Sequence, residues 1–188
     1  MRSILRRPDS GFTLVELMVT VAIVVVLITL VAPSFTQLIA LQRLRSINAE
    51  LVTTLQYARS EAVARNRSIQ FQMGSSSTMT CYMVFIQSIV TNCDCTRTPG
   101  SACSSGIELR TTQVLRSTDI ELTRSPSGTL PMSITPNGPM DTGPSFTIFT
   151  IIARRVSGSM AQLETSMGST GRPTVCSRDS SVNGAPAC

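Results

Sequence analysis

No lysine, histidine or tryptophan occurs in the chain of 188 residues, and all 16 basic side chains are arginines. Without histidine there is no Ser-His-Asp or Cys-His nucleophile pair and no His-ligated zinc or haem. Without lysine there is no Walker-A phosphate loop and no Schiff base. The 11 carboxylates are scattered, and no two flank a cleft signal. These absences argue against an enzyme and give no reason to expect a cofactor. A GC-rich genome is the bland, competing account of the missing lysine. Charged residues make up only 14% of the chain while 42% are hydrophobic, which excludes a disordered composition.

The hydrophobic residues are unevenly spread. Residues 1–11 form a short basic leader, with Arg2, Arg6 and Arg7 and no apolar core of its own. From Phe12 to Leu41 the single charge is Glu16. A helix needs about 20 largely apolar residues to span a bilayer, and Phe12–Ala32 supplies 21. The leader arginines place the N-terminus in the cytoplasm by the positive-inside bias, so the remainder faces the periplasm or the exterior. An ordinary secretory signal is cut after its apolar core, at small residues; Ala32-Pro33-Ser34 offers no such site.

Two residues in this run stand out. An ionisable side chain in a membrane helix costs about 2.5–3.5 kcal/mol on insertion scales and marks function by default. Glu16 therefore needs a cation or must become protonated, and once the leader is removed the nearest cation is the new amine at Phe12. The alternative is a solvated helix-start residue at headgroup level. Pro33 removes a helix hydrogen bond and clashes with the preceding turn. It marks a kink, a segment that loosens when the chain leaves the bilayer, or a plain helix end.

The junction Gly11-Phe12-Thr13-Leu14-Val15-Glu16 resembles the class III signal of type IV prepilins and type II secretion pseudopilins. The resemblance implies that a prepilin peptidase cuts after Gly11 on the cytoplasmic face and methylates Phe12. The apolar helix is then kept in inner-membrane lipid. It further implies that Glu16 of one subunit meets the Phe12 amine of its neighbour among the pilins or pseudopilins of a filament, and that Pro33 is the helix-loosening proline many pilins carry.

After Pro33 the pattern becomes amphipathic. Leu44, Ile47, Leu51, Leu55, Ala58 and Ala62 recur at spacings of 3, 4, 4, 3 and 4, one stripe of an α-helix. Glu61 and Arg65 form an i,i+4 pair. The spacing predicts one nearly continuous helix from Phe12 to about Arg67, roughly 80 Å long at 1.5 Å per residue. The segment from Leu51 to Asn66, with Ala58-Arg59-Ser60-Glu61-Ala62 at its centre, is similar to the signature of the GspH/FimT/FimU group of minor pseudopilins and minor pilins. Locally that segment reads as small residues against a sheet with charges in water.

Beyond Ser68 the period moves toward 2 and turn residues appear. Candidate strands are Ile69–Met73, Met79–Val90, Ile107–Leu115, Ile120–Thr123, Met132–Thr135, Phe146–Ala153, Met160–Glu164 and Thr174–Ser177, with turns at Gly74–Ser77 and Pro136–Pro139. Phe146–Ile152 is β-rich and uncharged, hence a central strand rather than an aggregation-prone edge. The fold class is α+β and pilin-like: a long N-terminal helix, its first half transmembrane, packed on an antiparallel β-sheet head. The organisation is a leader at 1–11, a helix at 12–67 (12–32 in the membrane or filament core, 33–67 amphipathic) and a periplasmic β-rich head at 68–188.

Six cysteines, Cys81, Cys93, Cys95, Cys103, Cys176 and Cys188, all lie in the head. An oxidising compartment favours disulfides. Cys93 and Cys95 are too close to bridge each other comfortably, so each reaches elsewhere. Cys176–Cys188 would close a C-terminal loop of the kind many pilins carry. The rival is a zinc site built from Cys81, Cys93, Cys95 and Cys103, whose spacing is not that of a zinc ribbon.

FimT-type members are implicated in DNA uptake through a C-terminal Gly-Arg stretch, and Gly171-Arg172-Pro173-Thr174-Val175-Cys176-Ser177-Arg178 is similar to it. The second Arg of that pattern is replaced by Thr174, leaving Arg178 and the pair Arg154-Arg155 to supplement the charge. Phosphate binding needs several cations, and no aromatic residue lies near this tail to stack a base. The competing reading is a last strand with solvated arginines. Removing residues 1–11 lowers the net charge from +5 to +3. The function expected is a minor pilin or pseudopilin of a type IV pilus or type II secretion system. The alternative is a FimT-like DNA-binding minor pilin of natural transformation.

Glu16→Val is expected to leave membrane insertion intact and to reduce incorporation into filaments. Fractionation of membranes and sheared filaments measures both, and normal incorporation would remove the charge-pairing role.

Overall fold

The computed structural model describes residues 11–87, 92–125, 131–140, 149–155, 161–168, 171–178 and 182–188. The chain divides into two compact units, Met1–Ile39 and Ala40–Cys188. One helix, α1 (Leu14–Arg65, 52 residues), contributes to both.

In the first unit, Thr13 starts the helix. Its Oγ1 accepts the Glu16 N–H at 3.2 Å and its carbonyl accepts the Leu17 N–H at 3.1 Å. Thr13 is thus the N-cap and Glu16 sits three residues on, the spacing of a capping box. The hydroxyls of Thr20 and Thr29 donate to the carbonyls of Leu17 (2.9 Å) and Val26 (2.8 Å). These bonds satisfy the only polar side chains between Met18 and Thr29 within the helix itself. The large apolar side chains from Phe12 to Ile28 are 50–72% exposed. Among the described residues no helix is long and apolar enough to cross a membrane. The helical side chains described in this run extend from Leu14 to Thr29, 16 residues. The helix continues through Pro33, so Pro33 does not end it.

In the second unit, Leu44, Leu51, Leu55, Ala58 and Ala62 are fully buried. The predicted stripe holds except at Ile47, which is only half-buried. Asn48 and Thr54 are buried beside it; the Asn48 Oδ1 accepts the Thr165 hydroxyl at 2.8 Å, and the Thr54 hydroxyl donates to the Glu50 carbonyl at 2.9 Å. The helix ends with Asn66 in the left-handed region (φ 47°) and the Arg67 N–H on the Ala62 carbonyl, a Schellman-type stop.

Among the described residues nine strands follow: β1 (Ile69–Ser75), β2 (Met79–Ile86), β3 (Ile107–Leu115), β4 (Ile120–Ser125), β5 (Met132–Thr135), β6 (Gly138–Met140), β7 (Phe149–Arg155), β8 (Gln162–Met167) and β9 (Pro173–Ser177). They form two antiparallel sheets, ordered β3-β2-β1-β5-β6 and β4-β7-β8-β9. The antiparallel β head expected from the sequence is thus present, divided between two sheets. Strand β6 also replaces part of the expected 136–139 turn, pairing Gly138 with Thr135 across a two-residue loop. Pro139 is tolerated there because β6 is an edge. Strand β7 is central, as its composition predicted; residues 146–148 and 88–90 of the expected strands lie outside the described residues.

Both sheets and α1 share one core, which includes Phe71, Tyr82 and Ile134 from the first sheet and Ile120, Leu122, Leu163 and Met167 from the second. The rings of Phe71 and Tyr82 stack at 5.9 Å. A smaller cluster of Cys81, Met83, Phe85, Cys95 and Ala102 is also buried. The cysteine-rich loop between β2 and β3 covers it, which explains why β2 is buried at nearly every position. Disulfides Cys81–Cys95 and Cys93–Cys103 staple that loop. Glu108 holds it too, accepting the N–H groups of Gly100 (2.9 Å) and Ala102 (3.0 Å), while the Gln113 amide donates to the carbonyls of Cys95 and Arg97. At the other end, the tail folds back on β9. The Ser177 N–H donates to the Pro186 carbonyl at 2.7 Å and the Cys188 N–H to the Ser177 carbonyl at 3.2 Å. Arg45 of α1 donates to the Asn183 carbonyl.

Gly74 faces the first staple. A Cβ there would lie 2.9 Å from the Cys95 sulfur and 3.4 Å from that of Cys81. Gly74→Ala is expected to destabilise the head by about 1–3 kcal/mol, the usual scale of overpacking, as read from the urea midpoint. Burial pushes the Glu108 carboxyl up, but the Gly100 N–H, the Thr111 hydroxyl and the Ala102 N–H together outweigh it and hold the group below its ordinary 4.5. A carboxylate depressed in the folded state adds stability above its unfolded pKa and loses it as pH falls through the folded value. Glu108→Gln is therefore expected to lower the urea midpoint at neutral pH, with the gap to wild type closing in acid. A gap that is constant with pH would contradict this role.

Candidate functional site

The first candidate is the N-terminal junction. Gly11, Phe12 and Thr13 precede the helix, and Phe12 is 72% exposed. A Cβ built on Gly11 meets nothing within 4 Å, so the chain's own packing does not demand glycine there. Glu16 lies in the first turn, where its charge suits the helix dipole. In the sequence Thr13 counts only as part of the junction motif; its capping role is signalled by the Thr-x-x-Glu spacing before an apolar run.

The second candidate is the cysteine set. All six are consumed in three disulfides, Cys81–Cys95, Cys93–Cys103 and Cys176–Cys188. No thiolate is left for the four-cysteine zinc alternative. Cys93 and Cys95 bridge separate partners, and Cys176 and Cys188 close the C-terminal loop.

The third candidate is the arginine set. Three of its four members face carboxylates. Arg154 on β7 stands opposite Glu121 on β4 and donates to its Oε2 through Nε (3.2 Å) and a terminal nitrogen (2.8 Å). Arg116 takes the other oxygen at 2.9 Å. Hydrogen bonding by Arg154, against some burial and helped by the Arg116 charge, holds the Glu121 carboxyl below its usual range. Arg155 pairs with Asp119 at 3.3 Å and Arg178 with Glu164 at 3.5 Å. Strand β8 separates β7 from β9, so the fold sets Arg154 and Arg155 apart from the Gly-Arg segment.

Arg172 is different. It is exposed, and no ion pair or side-chain hydrogen bond engages it among the described residues. The turn before it depends on Gly171, which is buried at φ 68° and donates its N–H to the Gly168 carbonyl at 2.8 Å. That left-handed φ favours glycine. Arg172 and Pro173 form one wall of an open groove of about 620 Å³, and Arg59, Ser60, Val63 and Ala64 of α1 form the other. Arg59 was read from sequence as part of a helix face only. The missed signal is local: no acid stands three or four residues from it, whereas Arg65 has Glu61.

A family profile described as Type II transport protein GspH matches residues 49–176, and one described as Prokaryotic N-terminal methylation motif matches residues 6–32. No curated protein and no solved structure matches the chain. The first profile covers more than half of the sequence, from the amphipathic part of α1 to β9, and the second covers the leader junction and the apolar run. Together with a long helix set on antiparallel sheets, these matches mean that the chain belongs to the GspH family and is a pilin-like subunit with a prepilin-type N-terminal signal.

Proposed function

We propose that the chain is a minor, non-enzymatic subunit of a type IV pilus or of a type II secretion pseudopilus. In this reading it is inserted in the inner membrane with its N-terminus in the cytoplasm and its head in the periplasm. Prepilin peptidase cuts after Gly11 and methylates Phe12, and the subunit then enters a filament through residues 12–32. The observation that carries the reading is the run of large apolar side chains from Phe12 to Ile28, each at least half exposed, interrupted by the single acid Glu16. Water is a poor environment for that surface: about 25 cal/mol per Å² favours its removal. Lipid before assembly, and neighbouring helices after it, supply what the chain does not. In lipid Glu16 is expensive unless a cation meets it; the amine exposed at Phe12 by cleavage is the cation the reading provides.

The alternative, a DNA-binding minor pilin, rests on Arg172, since Arg154, Arg155 and Arg178 already face carboxylates.

Gly11→Leu tests the main reading. Because a side chain at position 11 meets open space, folding is expected to be unchanged while cleavage stops. Intact-mass measurement on membranes from cells with the peptidase should find wild type beginning at Phe12 and the variant retaining residues 1–11. A variant that matures to the wild-type mass would overturn the assignment.

A further inference from the structure

The groove between α1 and the Gly171 turn holds features that assembly through residues 12–32 does not use. Its helical wall is one face: Arg59, Ser60, Val63 and Ala64 lie within two turns of α1. Val63 is 56% exposed, and with Ala64 and Pro173 it makes the surface largely apolar. Two guanidiniums, Arg59 and Arg172, border it, and among the described residues no carboxylate lines it. Neither cation has an ion pair or side-chain hydrogen bond among the described residues. Arg65, Arg110, Arg116, Arg154, Arg155 and Arg178 each lie within 4.0 Å of a carboxylate, whereas Arg59 and Arg172 do not and instead flank one apolar groove, whose Arg172 wall is shaped by a buried left-handed glycine.

From this we infer that the groove docks a protein segment in which carboxylates neighbour aliphatic side chains. The aliphatic groups cover Val63, Ala64 and Pro173, and the carboxylates accept charge-assisted hydrogen bonds from Arg59 and Arg172. A guanidinium is suited to this, because its planar donors match a carboxylate in pairs. Nucleic acid fits less well. Two cations give a small counterion-release term, no aromatic ring lines the groove to stack a base, and the apolar wall would stay uncovered against a phosphate backbone. The partner is another subunit of the assembly, and the inference rests on the proposed subunit role for that point alone.

The test uses the full-length chain in a non-ionic detergent. Fluorescence anisotropy is followed with three probes: an alternating glutamate–leucine peptide, an oligoglutamate and an oligothymidylate. Saturable binding is expected for the glutamate–leucine peptide, ahead of the other two. Arg59→Ala and Arg172→Ala should each weaken it about tenfold, the scale of one charge-assisted contact. Val63→Ser should weaken the glutamate–leucine peptide more than the oligoglutamate. Arg59→Glu with Arg172→Glu should switch preference to an arginine–leucine peptide, a gain that a misfolded variant cannot produce. No binding of the acidic peptides, binding indifferent to both arginines, or tighter binding of the oligothymidylate would each overturn the inference. Cleavage at Phe12 and filament incorporation are measured separately in cells, so the groove can fail while the subunit role stands, and the reverse.

Discussion

One face of one helix holds the head together. Leu44, Leu51, Leu55, Ala58 and Ala62 are fully buried, and both sheets send side chains into the cluster they form. Each leucine contributes roughly 1.5–3 kcal/mol by leaving water. The alanines contribute differently, by being small enough to let neighbouring side chains approach the helix. Polar residues inside this face are matched rather than excluded: Asn48 accepts from Thr165, and Thr54 bonds its own helix backbone. Arg43 and Glu50 then fix the rim, reaching the Thr118 carbonyl and the Thr112 hydroxyl.

Much of this was legible because it is periodic and local. The 3.6-residue stripe gave the buried face of α1, and the change of period after Ser68 gave the strands. The composition of residues 146–152 placed β7 in the middle of a sheet. The two-sheet division was not legible, because strand partners are set by contacts between distant residues. Nothing in the order β1 to β9 reveals that β4 pairs with β7 while β5 returns to β1. The burial of β2 on both faces was hidden for a related reason: its second cover is a disulfide-bonded loop, not a periodic element. The junction Gly11–Glu16 could be read because its residues are contiguous. Arg59 and Arg172 could not be read as a pair, since only the fold joins them.

Charge scarcity sharpens the electrostatics. With few acids available, the head uses them more than once. Glu121 serves both Arg116 and Arg154, and Glu50 meets Arg110 at 3.7 Å while it accepts from Thr112. These pairs are largely at the surface and add little stability individually. Their effect is on where positive charge remains available, and that is not where a count of arginines along the sequence would put it.

The C-terminal tail has a consequence for life in a crowd. The last residues lie alongside β9 in the parallel sense at Ser177 and Ala187, and Cys176–Cys188 locks them there. An open strand border invites a neighbour's backbone to zip on. Here residues 186–188 occupy part of that border at Ser177, so less of its backbone is left open to edge-to-edge pairing with another strand. Forming the Cys176–Cys188 bond thus closes a loop and shields a strand border in one step.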